Sequence, residues 1–163
     1  MSRGWRWLWV AALVILLDQL SKAWIARHIA LDQGVVLLPV LSFTLRGNPG
    51  AAFSMLADAS GWQRWFFSAI AVVLSVAILV YLYRIDGRKQ RPLAVALSLV
   101  LGGAIGNLID RLRLGQVIDF VVVHWKDAYF PAFNIADSAI TVGAILYLLD
   151  ALILEPMRSR RSG

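Results

Sequence analysis

Two carboxylates stand in apolar company. Asp119 lies inside "QVIDFVVVHW" (116–125), and Asp137 heads the run "SAITVGAILYLL" (138–149), eighteen residues further on. An acid in an apolar strand needs a partner or a proton. If the two side chains converge, like-charge repulsion and partial desolvation push their proton affinities apart, so that one proton is shared near neutral pH. That state suits amide hydrolysis: one carboxylate takes a proton from water while its protonated partner polarises the carbonyl. Asp137 alone is equally well explained as a first-turn acid, ionised beside the positive end of a helix dipole. Spacing in the chain does not decide convergence.

Other polar residues fall at similar places along the apolar runs. Asp18 and Lys22 are four apart and share a helix face, so they can pair. Asn107, Asp110 and Arg111 close a third apolar run, Asn48 sits in the turn "RGNPG", and Asn134 and Ala136 flank the start of the last run. Ionisable groups inside spans are functional candidates by default. The bland alternative, for Asp18 with Lys22 or Asp110 with Arg111, is a salt-bridged network tying helix ends together. Asp150 and Glu155 lie further down the last run and are expected to meet arginines. Ser21, Ser54 and Ser138 lack a histidine arrangement, though Lys22 leaves a serine–lysine dyad formally open. His124, alone among aromatics, reads as a structural histidine. The absence of cysteine excludes thiolate chemistry, two histidines argue against a multi-histidine metal site, and no metal or organic cofactor is expected.

These residues must be held by membrane elements. The 163 residues are 60% hydrophobic, with a mean hydropathy of +0.70, well above the soluble norm. Four stretches, about 7–24, 65–83, 92–110 and 137–154, approach the roughly 20 residues that a spanning helix needs. The net charge of +6 is read best by position. Arg3, Arg6, Arg84, Arg88, Lys89, Arg91, Arg158, Arg160 and Arg161 all fall on one side of a four-span chain, which the positive-inside rule makes cytoplasmic. Both termini are then cytoplasmic. That these charges hug span ends speaks against a nucleic-acid arm, and the lack of a small-x-small site after the first span speaks against reading that span as a cleavable signal peptide.

The outward connections, about 33–60 and 115–134, carry the irregular sequence. "VVLLPVLSFTL" (35–45) is rich in β-formers, and "RGNPG" breaks it at Gly47, Asn48, Pro49 and Gly50. "QVIDFVVVHW" reads as a strand and "YFPAFN" (129–134) as a turn into the last helix. Irregular backbone cannot face lipid, so a small sheet lying on the outer leaflet is expected. Trp5, Trp7, Trp9, Tyr81 and Tyr83 mark one interface, and Trp24, Trp62, Trp65 and Trp125 the other. Gly102 and Gly106 in "GGAIG" have the spacing of close helix packing. The expected fold is thus an all-α membrane protein with four transmembrane helices and a small β-cradle on one side, in one integral membrane domain over 1–163.

"LDQLSKAW" (17–24), "NPGAAFS" (48–54), "GGAIGNLIDRLRLGQVIDFVVVHW" (102–125) and "FNIADSAITVG" (133–143), in this order, resemble the lipoprotein signal peptidases of bacteria, the signal peptidase II family. The similarity extends from about Leu8 to Glu155. The resemblance implies an aspartyl endopeptidase of the inner membrane that removes the signal peptide from diacylglyceryl-modified prolipoproteins, cutting just before the lipidated cysteine on the outer face. It implies catalytic roles for Asp119 and Asp137. Asp18, Lys22, Asn48, Gly50, Asn107, Asp110, Arg111, Asn134 and Ala136 fall on positions that bind substrate or support the site. It also implies a monomer in the lipid bilayer that binds globomycin-type peptide antibiotics. The chain departs from the pattern at Arg46 and Gly47, where bulkier residues are common, and "KDAYFPAF" is slightly short.

Two readings compete with this one. A transporter or proton path predicts ionisable groups spread through the bilayer depth, whereas here acids and amides cluster at one end of the spans. A non-catalytic partner protein predicts that losing Asp119 or Asp137 disturbs assembly without abolishing a reaction.

Overall fold

The computed structural model describes residues 3–50 and 61–162. Residues 51–60, which hold "AAFS", Ser54 and the end of the expected outer region 33–60, lie outside the described residues. Four helices carry the fold: α1 (Leu8–His28), α2 (Trp62–Arg84), α3 (Arg91–Leu114) and α4 (Ile135–Leu149). After α4 a π-helical turn, Asp150–Leu154, leads into a short α5 (Glu155–Ser162). With their continuations, four helices are long and apolar enough to cross a membrane.

α3 packs against α1, α2 and α4, which places it at the centre of the bundle. Small residues let it do so. A Cβ on Gly102 would lie 2.7 Å from Val14 Cβ and 2.8 Å from the Ala11 carbonyl of α1, and one on Gly103 would strike the Ala136 carbonyl of α4. Without a hydrophobic difference between lipid and leucine, such close backbone approach is what holds spanning helices together. Outward faces of the bundle expose Leu13, Leu16, Val73, Val76, Leu148 and Leu152, as lipid contact requires.

At one end of the bundle lies a four-stranded antiparallel sheet in the order β1-β2-β3-β4, with β1 Gly34–Leu38, β2 Leu41–Asn48, β3 Val117–Trp125 and β4 Ala128–Tyr129. The expected break at "RGNPG" begins later than the sequence suggests, because Arg46, Gly47 and Asn48 pair with Asp119, Ile118 and Val117 of β3. The end of the Gln116 side chain lies over Gly47, where a Cβ would make it swing aside. The edge strand β1 is apolar yet exposed at all five residues, as suits a strand resting on lipid.

At the opposite end the Gly4 N–H donates to the Ile85 carbonyl at 3.0 Å, docking the N-terminus on the α2–α3 connection. The Trp7 indole donates to the Gly87 carbonyl at 2.9 Å. Trp7 is therefore tied into this junction rather than floating as an interfacial anchor, while Trp5, Trp9, Tyr81 and Tyr83 are exposed. Leu154, Met157 and Arg158 line a cleft with Lys89 and Pro92 at this end, beside the α2–α3 turn.

Candidate active site

Asp119 is placed by the end of α3. Gly115 terminates that helix with φ +78°, a left-handed cap that residues other than glycine adopt at a cost, and the chain reverses into β3. The Ile118 N–H then donates to Asp110 Oδ2 at 3.1 Å, tying the strand to the last turn of α3. Two backbone bonds fold the following loop back. The Val121 N–H donates to the Phe133 carbonyl at 2.8 Å, and the Phe133 N–H returns to the Val121 carbonyl at 3.0 Å. Asn134, next in the chain, is thereby set beside Asp119 and caps α4.

The cap also builds the second carboxylate into place. Asn134 Oδ1 accepts the Asp137 N–H at 2.9 Å while Asp137 Oδ2 accepts the Asn134 N–H at 3.2 Å, a reciprocal capping box. The first-turn reading of Asp137 is thus correct. It does not exhaust the residue, because two carboxamides join it to Asp119. Asn134 Nδ2 donates to Asp119 Oδ1 at 2.8 Å, and shares its two hydrogens with Asn107 Oδ1 at 3.2 Å and the Ile118 carbonyl at 3.1 Å. Asn107 Nδ2 donates to Asp137 Oδ1 at 2.8 Å. From β2, Asn48 Nδ2 donates to Asp119 Oδ2 at 2.9 Å.

Each of the four carboxylate oxygens of Asp119 and Asp137 therefore accepts one N–H. A second lone pair on each stays open for a water or a proton. Asp119 is 3% exposed, and Asp137 is half-buried. Burial pushes the Asp119 carboxyl up to about 6; Asp137 adds to the rise, while the Asn48 and Asn134 amides and the Lys22 ammonium oppose it.

Behind the amides lies a buried charge cluster. Lys22 Nζ is 2.8 Å from both Asp18 Oδ2 and Asp110 Oδ2 and donates to Asn107 Oδ1 at 3.1 Å. The expected Asp18–Lys22 pair is present. The Asp110–Arg111 pair is not: successive helix residues point about 100° apart, and Asp110 turns to Lys22 instead. Arg111 sends Nη1 to the Asn107 carbonyl at 3.4 Å and lays its guanidinium over the Phe67 ring. It stays within electrostatic reach of Asp137 and Asp119. Asp18 Oδ1 accepts the Ala136 N–H at 3.0 Å, which explains the position of Ala136 in the site. Gly50, at φ +101°, donates its N–H to Asn48 Oδ1 at 2.9 Å and leaves no room for a Cβ against Phe67.

Sequence reasoning passed over Gln19. Its Nε2 reaches Asp110 Oδ1 at 3.0 Å, Asp18 Oδ2 at 3.2 Å and the Gly106 carbonyl at 3.2 Å. The signal was its place between Asp18 and Lys22 in an otherwise apolar helix. The serine–lysine alternative finds no support among the described serines. Ser21 Oγ donates to the Asp18 carbonyl and Ser138 Oγ to the Asn134 carbonyl, both at 2.9 Å, and Lys22 already has three acceptors. His124 meets Ser42 Oγ at 2.9 Å and stacks on Tyr129, a structural role. Among the described residues no cluster of three or more histidine, aspartate or glutamate side chains could hold a metal.

Residues 10–153 match the family described as signal peptidase (SPase) II. The lipoprotein signal peptidase of Pseudomonas aeruginosa (strain UCBPP-PA14) is 54% identical over 159 residues, covering 96% of this chain and 90% of that protein. That of Yersinia enterocolitica serotype O:8 / biotype 1B is 51% identical over 152 residues, 93% and 89% of the two chains. A bacterial membrane enzyme structure determined by the in meso method at 2.3 Å superposes with a TM-score of 0.80 at 32% identity, over 96% of this chain and 94% of its own. A multi-pass membrane fold, two amide-bridged aspartates and relatives this similar along nearly the whole chain establish that it belongs to the signal peptidase II family, as a membrane aspartic endopeptidase of the kind that removes signal peptides from prolipoproteins.

Proposed function

We propose that the chain cleaves diacylglyceryl-modified prolipoproteins just before the lipidated cysteine, with Asp119 and Asp137 as its catalytic dyad. The observation that carries this reading is the pair of carboxylates delivered by β3 and the head of α4 and bridged by Asn134 and Asn107.

A water held between the dyad attacks the scissile carbonyl carbon. It gives one proton to Asp137, while protonated Asp119 gives its own to the carbonyl oxygen, forming a neutral diol. On collapse the C–N bond breaks, Asp137 returns its proton to the leaving nitrogen, and a diol hydroxyl re-protonates Asp119. The dyad ends as it began, with no covalent enzyme intermediate. Asp119 suits the acid role because it binds its proton up to about pH 6, and substrate that excludes water raises that further. The second N–H of Asn48 is a donor available to the developing oxyanion.

The substrate's acyl chains call for an apolar approach. A cleft of about 450 Å³ runs along α4 beside Asp137, lined by Phe130, Pro131, Phe133, Ser138, Thr141 and Val142. Phe130 and Val142 are exposed on its rim, so a lipidated segment can enter from the bilayer. The clustering of Arg84, Arg88, Lys89, Arg91 and Arg158 near the α2–α3 turn supports both termini being cytoplasmic in the inner membrane and the site facing outward. The same site would take globomycin-type peptides, and the protein acts as a monomer needing no cofactor.

The test is cleavage of a diacylglyceryl-modified prolipoprotein by purified protein in lipid, comparing wild type with Asp119→Asn and Asp137→Asn. Both variants should fold and fail to cleave, with wild type active in chelator; cleavage by either variant refutes the dyad.

A further inference from the structure

The dyad's amide donors have a required polarity: the Asp137 N–H, held on Asn134 Oδ1 at 2.9 Å, fixes that of Asn134, but Asp137 fixes that of Asn107 only while its carboxylate is ionised, and it takes a proton in the proposed cycle. A carboxamide can turn over, exchanging its oxygen and nitrogen with little change of shape. Turned over, Asn107 would present a carbonyl oxygen to Asp137 Oδ1 and a donor to Asn134 Nδ2, breaking both bridges. Lys22 forbids this. An ammonium offers donors only, so the atom of Asn107 that faces it at 3.1 Å must be the oxygen. The nitrogen must then face Asp137, at 2.8 Å, and the oxygen is also left to accept from Asn134 Nδ2, which donates to Asp119 as well.

Lys22 is itself held immobile. Asp18 Oδ2 and Asp110 Oδ2 take its other two N–H groups, each at 2.8 Å, and Gln19 bridges those two carboxylates. Asp18, Lys22, Asn107 and Asp110 are 0%, 2%, 6% and 3% exposed, so bulk water does not stand in for any of these partners. A buried ion pair of this kind contributes little net stability, since desolvation offsets its attraction. Its value must lie elsewhere, and the one neutral group that it touches leads to the dyad.

Resting on the aspartyl protease reading, we propose that Lys22 is a positioning residue: clamped by Asp18, Asp110 and Gln19, it holds the amide of Asn107 in one polarity, so that Asp137 receives its N–H donor in every protonation state of the dyad. Lys22 touches neither substrate nor water in this scheme. Its effect on the reaction passes through Asn107.

The experiment is a kinetic cycle on the purified full chain in lipid. One arm is Lys22→Met combined with Asp110→Asn, which keeps the cluster's net charge; the second is Asn107→Leu; the third combines all three. Lys22→Met with Asp110→Asn should lower kcat by about tenfold or more with KM within about twofold, as loss of transition-state alignment does. Adding those two changes to Asn107→Leu should cost nothing further. Losses that multiply across the cycle, or a wild-type kcat without Lys22, overturn the proposal.

Asn107→Asp provides an answer even if the Lys22 variant does not fold. The new carboxylate still accepts from Lys22, now as an ion pair, but cannot donate to Asp137. The positioning route requires at least a tenfold fall in kcat with Tm retained, and wild-type kcat shows that the donor polarity held by Lys22 does not matter to the reaction. Asp119→Asn, run alongside, separates the two levels of argument. Cleavage by that variant removes the protease reading, while its loss together with full activity in Asn107→Asp removes only the role of Lys22.

Discussion

Replacing Asn48 by alanine removes one of the two amide donors to Asp119 and should move the pH dependence of catalysis in a definite direction. Asn48 Nδ2 lies 2.9 Å from Asp119 Oδ2, and this bond favours the ionised carboxylate. A hydrogen bond to a charged acceptor is worth about 1.5–3 kcal/mol, and one pH unit corresponds to about 1.4 kcal/mol. Asn48 is half-buried, so water makes good part of the loss, and the lower end applies. The Asp119 carboxyl, at about 6 in the wild type, should hold its proton about one pH unit higher in Asn48→Ala. In the proposed mechanism Asp119 is the acid of the dyad, so activity falls as its proton leaves. The basic limb of kcat/KM should therefore sit near pH 6 in the wild type and shift upward by about one unit in the variant. The limb reports the coupled pair rather than one residue, but the direction is the same for either microstate. The assay is initial-rate cleavage of a lipid-modified prolipoprotein from about pH 4.5 to 9. A limb that stays in place or moves down would refute the electrostatic account of Asp119.

The same carboxyl should mark stability. Its folded value of about 6 exceeds the unfolded value of about 4, so its contribution is fully present below about pH 4 and lost as pH rises through 6, amounting to about 3 kcal/mol. Thermal unfolding in detergent should show that step and Asp119→Asn should flatten it; a step of equal size in both would show that another group causes it. Gly103→Ala forces a methyl group against the Ala136 carbonyl and 2.7 Å from Ile140 Cγ1, which should cost about 1–3 kcal/mol and lower kcat, since Ala136 precedes Asp137. Gly102→Ala, pressed on α1 instead, should lower Tm while leaving kcat of the folded fraction near wild type; equal kcat losses from both would refute the distinction. Arg158 forms a bidentate pair with Asp150 at 2.8 and 2.7 Å, and Asp150 is 1% exposed. Arg158→Met should destabilise by about 3–5 kcal/mol in a denaturation assay and leave kcat unchanged, the site being at the other end of the bundle.

Apolar length and the placing of arginines made the four spans legible in the sequence, because a bilayer imposes both directly on composition. The β-rich run at 35–45, the strand around Asp119 and the turn into α4 were legible for the same reason, since local propensity and patterning act over a few residues. So were the two aspartates as chemical candidates, by the cost of an acid among valines. What only the tertiary structure decided was which polar groups meet. Asp119 and Asp137 reach one site because Gly115 reverses the chain and Phe133 folds back onto Val121, contacts that no period in the sequence encodes. Asp110 pairs with Lys22, 88 positions away, instead of its neighbour Arg111, because a helix turns successive side chains apart while α1 brings Lys22 alongside. Asn107 and Asn134 are ordinary amides in the sequence. Their directed hydrogen bonds come to bridge Asp119 and Asp137 because the close glycine contacts of α3 set three helix ends within the reach of one lysine.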